Sequence, residues 1–141
     1  MLFIAVFLAV VAIAGGQFPP GPVEDDCMSC ICTMESGCNP LDCRMDVGSL
    51  SCGYFQIKLP YYQDCGQPRS DLGWKGCSND LTCAATCVQN YMRRYVGRSG
   101  CSPTCQTYAR EHNGGPIGCR RSSTLKYWEA LKKIPGCGHL V

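Results

Sequence analysis

Two carboxylic acids, Glu35 and Asp46, have neighbours that predict different protonation states. Glu35 stands at the predicted end of a helix, where the partial negative charge of the last carbonyl groups and any burial favour the protonated form. Asp46 lies near Arg44 in a turn rich in backbone N–H and hydroxyl donors, which favour the ionised form. Glycosidic bond cleavage requires this combination, an acid to protonate the leaving oxygen and a carboxylate to stabilise or attack the sugar cation.

The same two residues also fit a purely structural interpretation. Glu35 could be an exposed side chain at a frayed helix end, and Asp46 could simply form a turn. Their separation of 11 positions does not by itself decide between catalysis and structure.

Side chains that could bind a sugar follow Asp46 in the chain. Tyr54 and Gln56 alternate in a segment of high β-propensity, so we expect both on one face of a strand, where they could line a cleft by stacking and hydrogen bonding. Ordinary sheet packing is the alternative for Tyr54. His112, at a predicted helix end, is a third candidate for substrate binding, and a loop-anchoring role is its alternative.

Four segments combine helix-favouring residues with a capping or helix-breaking residue, and we predict helices over 27–35, 81–96, 104–112 and 124–133. Asp26 should cap the first helix, which Gly37 ends. Gly97 should close the second.

The segment 48–58, GSLSCGYFQIK, has the β-propensity of a small hairpin or a three-stranded sheet. The stretch 60–77 is rich in turn residues and is predicted to be a long loop pinned by Cys65 and Cys77. Several helices with one small antiparallel sheet make an α+β domain.

Cysteine content indicates the compartment. The chain has 14 cysteines among 141 residues, an even number that predicts a framework of up to seven disulfides whose pairing stays open.

The first 14 residues carry no charged side chain, and Ala14-Gly15-Gly16 offers a signal peptidase its small residues, so we predict a signal peptide over 1–16 and a secreted, extracellular protein. A retained anchor is disfavoured because the apolar core falls short of the ~20 residues that span a membrane.

The remaining chain divides into three parts. Residues 17–26, QFPPGPVEDD, are predicted to be an extended, mobile leader, residues 27–137 form the single domain, and 138–141 are a short tail. All 13 basic residues fall within 27–137, whereas three of the 11 acidic residues precede it, so the domain has a net charge of +5. This excess favours approach to an anionic surface without selecting bacterial wall, nucleic acid or lipid.

Several ordered motifs together resemble the invertebrate-type lysozymes of the destabilase-lysozyme family. The resemblance covers about 27–137 and is carried by CxxCxC at 27–32, MESGC at 34–38, MDVGSLSCGYFQIK at 45–58, CVQNYMRRY at 87–95 and AREHNGGPIGC at 109–119. It implies a lysozyme-like domain in which Glu35 is the proton donor and Asp46 the second catalytic carboxylate. It also implies hydrolysis of the β-1,4 bond between N-acetylmuramic acid and N-acetylglucosamine, with chitin as a further substrate, in antibacterial defence or digestion.

The resemblance also implies a second activity, cleavage of isopeptide bonds, for which the matching residues are Ser49, Ser51, Lys58 and His112. A serine nucleophile needs a base, and a lysine serves only when its environment makes it neutral. An extended strand would place Ser51 and Lys58 about 23 Å apart on opposite faces, unless Gly53 begins a reversal. We therefore expect the glycosidase reaction to dominate.

Two further classes of function are less favoured. A non-enzymatic cationic protein that binds bacterial surfaces would not need Glu35 and Asp46 in catalytic motifs. Zinc binding would need ligands, but secretion and a total of two histidines favour disulfides. We expect no metal and no other cofactor. The expected partners are peptidoglycan or chitin oligosaccharides and the bacterial cell wall, without nucleic acid and without stable membrane insertion.

Overall fold

The computed structural model describes residues 16–141. This part of the chain contains one two-stranded antiparallel sheet and six α-helices: α1 Asp25–Ser36, β1 Arg44–Asp46, β2 Ser49–Ser51, α2 Leu59–Asp64, α3 Gly73–Ser78, α4 Leu81–Ser99, α5 Cys105–Gly114 and α6 Leu125–Lys132. Two single 3-10 turns, Gly118–Arg120 and Ser122–Thr124, connect α5 to α6. The predicted α+β architecture is confirmed. The predicted signal peptide, except for Gly16, lies outside the described residues.

Helix α1 begins two residues before the predicted start. Glu24 is its N-cap and makes no side-chain capping bond, so the prediction that Asp26 caps the helix is wrong. Asp25 and Asp26 instead occupy the first turn, where negative charge interacts favourably with the helix dipole. Gly37 ends the helix in a left-handed conformation with φ of 66°, as predicted, which leaves Glu35 in the last turn.

Helix α4 forms the centre of the core. The side chain of Asp80 caps the helix by accepting a hydrogen bond from the Cys83 N–H at 2.9 Å. The helix continues through Gly97 to Ser99 and ends at Gly100, whose φ is 74°. The prediction that Gly97 closes it is wrong, because a helix interior tolerates one glycine at a cost of about 1 kcal/mol when its neighbours pack well.

The predicted leader packs on the domain. Phe18 and Val23 retain only 7% and 2% exposure. The Gln89 side chain on α4 accepts from the Val23 N–H at 2.9 Å and donates to the Val23 carbonyl at 2.8 Å. The expectation of a mobile segment over 17–26 is therefore wrong, because two apolar side chains and a buried amide hold it.

The stretch predicted as a loop over 60–77 contains α2 and α3. Pro60 lies in the first turn of α2, where a missing N–H costs nothing. The disulfides Cys65–Cys87 and Cys77–Cys83 pin this stretch to α4, as expected of its two cysteines.

All 14 cysteines are paired, which confirms the predicted disulfide framework at its full number of seven bridges. The pairing, which the sequence leaves open, is Cys27–Cys105, Cys30–Cys137, Cys32–Cys38, Cys43–Cys52, Cys65–Cys87, Cys77–Cys83 and Cys101–Cys119. Among residues 16–141 no group of three His, Cys, Asp or Glu side chains could hold a metal ion. No helix in the same range is long and apolar enough to cross a membrane.

Candidate active site

A cleft of about 590 Å³ lies between the end of α1, the β1–β2 hairpin and the start of α2. Its lining brings together most of the residues singled out from the sequence: Glu35, Asp46, Ser51, Gln56, Lys58 and His112. Tyr61 and Tyr91 add aromatic surface to one wall. A partly apolar cleft with convergent charged groups is the usual form of a ligand site.

Glu35 is the buried acid of the cleft. Its side chain is 16% exposed. Burial, with a smaller contribution from the negative charge of Asp46, raises the pKa of Glu35 to about 7, against the hydrogen bond from Tyr127, which lowers it. Glu35 is thus protonated in mildly acidic solution, the state that a general acid requires.

Asp46 lies on the hairpin, at the exposed edge of the cleft. Val47 and Gly48 form the two-residue turn with φ of 47° and 79°, the positive values that a tight hairpin turn needs. Asp46 pairs with Ser49 and Arg44 with Ser51, so all four side chains lie on one face of the hairpin. The Asp46 side chain is 60% exposed, in contrast to Glu35.

Lys58 ties the hairpin turn to the start of α2. Its Nζ donates to the Asp46 carbonyl at 2.9 Å and to the Ser49 hydroxyl at 2.6 Å. The same ammonium lies 3.5 Å from the Asp46 Oδ2. It therefore supplies positive charge beside the carboxylate and restrains the turn that carries it.

Arg44 connects the hairpin to the helix that carries Glu35. Its Nη2 donates to the Glu35 carbonyl at 3.2 Å, and its Nε donates to the Gln56 Oε1 at 3.3 Å. The guanidinium caps an otherwise unpaired carbonyl at the end of α1. The two catalytic candidates are thus linked through one side chain.

The strand predicted for Tyr54 and Gln56 is a turn. The chain reverses at Gly53, and Cys52 pairs with Ile57 as an isolated bridge. Gly53 has φ of 73°, and a Cβ there would clash with the Ser78 carbonyl, so the turn requires glycine. This backbone contact, which the sequence does not reveal, overrides the β-propensity of the segment.

Tyr54 and Gln56, two of the candidates for sugar binding, therefore have different surroundings. Gln56 lines the cleft and holds Arg44. The backbone carbonyl of Tyr54 accepts a hydrogen bond from the Ser36 hydroxyl at 2.6 Å, and Tyr54 is not among the cleft-lining residues. The shared strand face expected for these two residues does not exist, and sugar binding by either stays a prediction.

The reversal at Gly53 also changes the separation expected between Ser51 and Lys58. The separation of about 23 Å expected for Ser51 and Lys58 along an extended strand is wrong, because Cys52 and Ile57 pair across the turn. Ser49 is the serine in contact with Lys58. Ser51 is 2% exposed, and its hydroxyl has no hydrogen-bond partner among residues 16–141.

His112 lies behind Glu35, with 3% of its side chain exposed. Burial lowers the pKa of His112 to about 4, so the ring is neutral at neutral pH. Its Nε2 lies 2.9 Å from the Phe55 carbonyl and its Nδ1 lies 3.0 Å from the Tyr61 hydroxyl. The carbonyl can only accept, so the proton resides on Nε2, and the 3.9 Å approach to Glu35 is not an ion pair.

Two disulfides flank the cleft residues in the sequence. Cys32–Cys38 closes the last turn of α1 around Glu35, and Cys43–Cys52 closes the hairpin around Asp46. Each carboxylic acid is thus held inside its own covalent loop.

Tyr127 is a site residue that no sequence motif indicates. Its hydroxyl donates to the Glu35 Oε1 at 3.2 Å from a position 92 residues further along the chain. Nothing in the sequence around Tyr127 distinguishes it from a core tyrosine of a short helix, because the contact depends on how α6 docks against α1.

Comparison with known proteins identifies the class of this domain. A family model described as Destabilase matches residues 24–134. The invertebrate-type lysozyme of Ruditapes philippinarum is 60% identical over 124 residues, 87% of this chain and 90% of the relative. Two solved structures, Tapes japonica lysozyme and inhibitor-bound lysozyme from Meretrix lusoria, superpose with TM-scores of 0.83 at 59% and 55% identity. Each comparison covers 86% of this chain and 98% of the other.

The fold and the cleft define a disulfide-rich domain with one buried and one exposed carboxylic acid. The comparisons show to which family such a domain belongs. The chain belongs to the destabilase family and is an invertebrate-type lysozyme, a glycoside hydrolase. The resemblance inferred from the sequence motifs is confirmed.

Proposed function

We propose that the enzyme cleaves the β-1,4 bond between N-acetylmuramic acid and N-acetylglucosamine in peptidoglycan, with chitin oligosaccharides as a second substrate. Glu35 is the proton donor and Asp46 the second catalytic carboxylate. The observation that carries the proposal is the unequal environment of the two acids, Glu35 buried with a pKa of about 7 and Asp46 largely exposed beside Lys58. Unequal environments assign the two roles in a glycosidase.

In the first step, protonated Glu35 transfers its proton to the glycosidic oxygen, which keeps the electron pair of the breaking carbon–oxygen bond. Asp46 attacks the anomeric carbon and forms a glycosyl-enzyme, as in a retaining glycosidase. The Glu35 carboxylate then takes a proton from the attacking water, and the bond between sugar and Asp46 breaks. The activity should fall above a pH of about 7, where free Glu35 loses its proton.

The seven disulfides support a site of action outside the cell, since such bridges persist in oxidising compartments. We therefore propose a secreted enzyme that acts on bacterial walls in defence or digestion.

Clearing of a peptidoglycan suspension by Glu35→Gln beside the wild type tests the proposal. The variant keeps the shape of the side chain and removes the proton donor, so the rate should fall by roughly 100-fold or more. Glu129→Gln, an exposed glutamate of α6, is the matched control and should stay near the wild-type rate. Lysis by Glu35→Gln within a few-fold of wild type would support the non-enzymatic cationic alternative instead.

A second candidate function, isopeptide cleavage, is favoured by one observation, the 2.6 Å contact between the Ser49 hydroxyl and Lys58 Nζ. However, the ammonium also donates to the Asp46 carbonyl and faces its carboxylate. In both contacts Lys58 acts as a hydrogen-bond donor, whereas the base of an isopeptidase must accept the serine proton.

Release of lysine from a γ-glutamyl-lysine isopeptide by three variants would settle the second function. If the pair is catalytic, Ser49→Ala should lose the release, while Ser51→Ala and Glu35→Gln retain it. Equal release by Ser49→Ala and the wild type would remove this candidate.

A further inference from the structure

The two oxygens of the Glu35 carboxyl have different surroundings. Oε1 accepts the hydrogen bond from Tyr127 at 3.2 Å and is also the oxygen nearest to His112, at 3.9 Å. Oε2 receives no hydrogen bond from any residue in the range 16–141, although Glu35 lines the cleft. The protein therefore holds one carboxyl oxygen by a hydrogen bond and leaves the other without one.

Tyr127 is suited to act as a permanent donor. It is 9% exposed and lies behind Glu35 rather than in the lining of the cleft. Burial raises the pKa of Tyr127 well above its ordinary value, and the charge of Glu35 raises it further. The phenol thus keeps its proton throughout the range in which Glu35 titrates, and an oxygen that accepts this bond is a poor place for the acidic proton.

We propose that Tyr127 is a positioning residue that places the catalytic proton on Oε2 of Glu35, the oxygen that faces the glycosidic bond. The inference rests on the proposed role of Glu35 as the acid. When the proton leaves Oε2 for the glycosidic oxygen, the electron pair of that O–H bond stays on the carboxylate. The hydrogen bond from Tyr127 then becomes charge-assisted and strengthens as the transition state is approached.

Besides Tyr127, several charged or titratable groups face Glu35. They are Arg44 and Asp46 from the hairpin, Lys58 before α2, Tyr61 from α2 and His112 from α5. Arg44 and Lys58 lower the pKa of Glu35, whereas Asp46 raises it. None of these contacts changes when Tyr127 loses only its hydroxyl. A change confined to Tyr127 therefore isolates its hydrogen bond.

The test is Tyr127→Phe, with Tyr62→Phe as the matched control. Tyr62 is also buried, and its hydroxyl donates to the Pro68 carbonyl at 3.1 Å, so the control loses one hydrogen bond to a group that does not titrate. For Tyr127→Phe we expect kcat on a chitin oligosaccharide to fall roughly tenfold with KM little changed, because the proton is misplaced rather than the sugar. The basic limb of its pH profile should move upward, since the lost bond favoured the carboxylate.

Carbon NMR reports the titration directly. The chain has four glutamates, and the Glu35 carboxyl signal is identified by its absence in Glu35→Gln. Its midpoint should rise in Tyr127→Phe and stay constant in Tyr62→Phe. An unchanged midpoint and an unmoved basic limb would overturn the inference.

Two further readouts complete the design. In the wild-type protein the Tyr127 ring carbon that bears the hydroxyl should shift with the same midpoint as Glu35, which tests the contact even if Tyr127→Phe fails to fold. A flat response there would also overturn the inference. Full activity of Glu35→Gln would mean that the proposed function itself fails, whereas an inactive Glu35→Gln with a wild-type profile for Tyr127→Phe removes only the role of Tyr127.

Discussion

Lys58 and Asp46 are joined at two points, by a hydrogen bond of 2.9 Å from Nζ to the backbone carbonyl and by a 3.5 Å approach of Nζ to the carboxylate. The first contact fixes the hairpin turn, and the second places positive charge beside the proposed nucleophile. Geometry and charge at Asp46 therefore depend on one side chain from outside the hairpin.

Replacing this lysine should lower the rate of glycoside hydrolysis. For Lys58→Gln we expect kcat to fall roughly tenfold, because the hairpin turn loses its restraint and Asp46 moves from its attacking position. The basic limb should move to higher pH, since the positive charge of Lys58 lowers the pKa of Glu35. Lys75→Gln, an exposed lysine of α3, is the control. A wild-type rate and a wild-type pH profile for Lys58→Gln would show that the hairpin holds Asp46 in place without the contact from Lys58.

The stereochemistry of the product tests the role of Asp46. If Asp46 is the nucleophile, the first product from a β-linked chitin oligosaccharide should be the β-anomer, followed by slow mutarotation. Proton NMR of the anomeric region during the first minutes measures it. An initial α-anomer would show inversion and would reduce Asp46 to a base or an electrostatic stabiliser.

Two disulfides that close loops of equal length allow the effect of a bridge on stability to be measured separately from its effect on catalysis. Cys32–Cys38 and Cys77–Cys83 each span 6 residues in sequence, but only the first encloses Glu35. Replacing either pair with alanine should lower the free energy of unfolding by about 2 kcal/mol. Only the Cys32/Cys38 variant should lose kcat as well. Denaturant titration and turbidity assays on both variants make the comparison, and equal losses of kcat would contradict a local role for the first bridge.

The buried Glu111 should make the free energy of unfolding depend on pH. It is fully buried, its Oε2 has no partner among residues 16–141, and burial raises its pKa to about 7 from 4.5. The folded state therefore holds the proton more tightly than the unfolded chain does. The resulting stability is complete below a pH of about 4.5 and is lost as the pH rises to about 7.

For the wild type we expect the free energy of unfolding to fall by an amount on the order of 3 kcal/mol for this group over that range. Glu111→Gln should show a shallower decline, with the remainder due to Glu35, whose pKa is raised in the same way. Urea titrations at pH 4.5 and 8 measure the difference. A decline in Glu111→Gln as steep as in the wild type would contradict the assignment, and Glu129→Gln serves as the exposed control.

The local rules of helix termination were sufficient to place Glu35, although they misplaced the N-cap of α1 and the end of α4. Gly37 marks the end of α1 in both sequence and structure, and this alone places Glu35 at a helix end. Those rules failed where a distant contact decides the conformation. Gly53 and the residues after it form a turn because the backbone meets Ser78, and Tyr127 reaches Glu35 because α6 packs against α1.

The bridge between Cys30 and Cys137 spans 107 residues and joins the helix that carries Glu35 to the chain beyond α6. Synthesis proceeds from the N-terminus, so Glu35 is made before Tyr127 and before Cys137. A nascent chain that has not yet reached Cys137 can neither brace α1 covalently through this bridge nor give Glu35 its phenol donor. The lytic activity of this enzyme is therefore expected to arise only after synthesis has passed Cys137 and this bridge has closed.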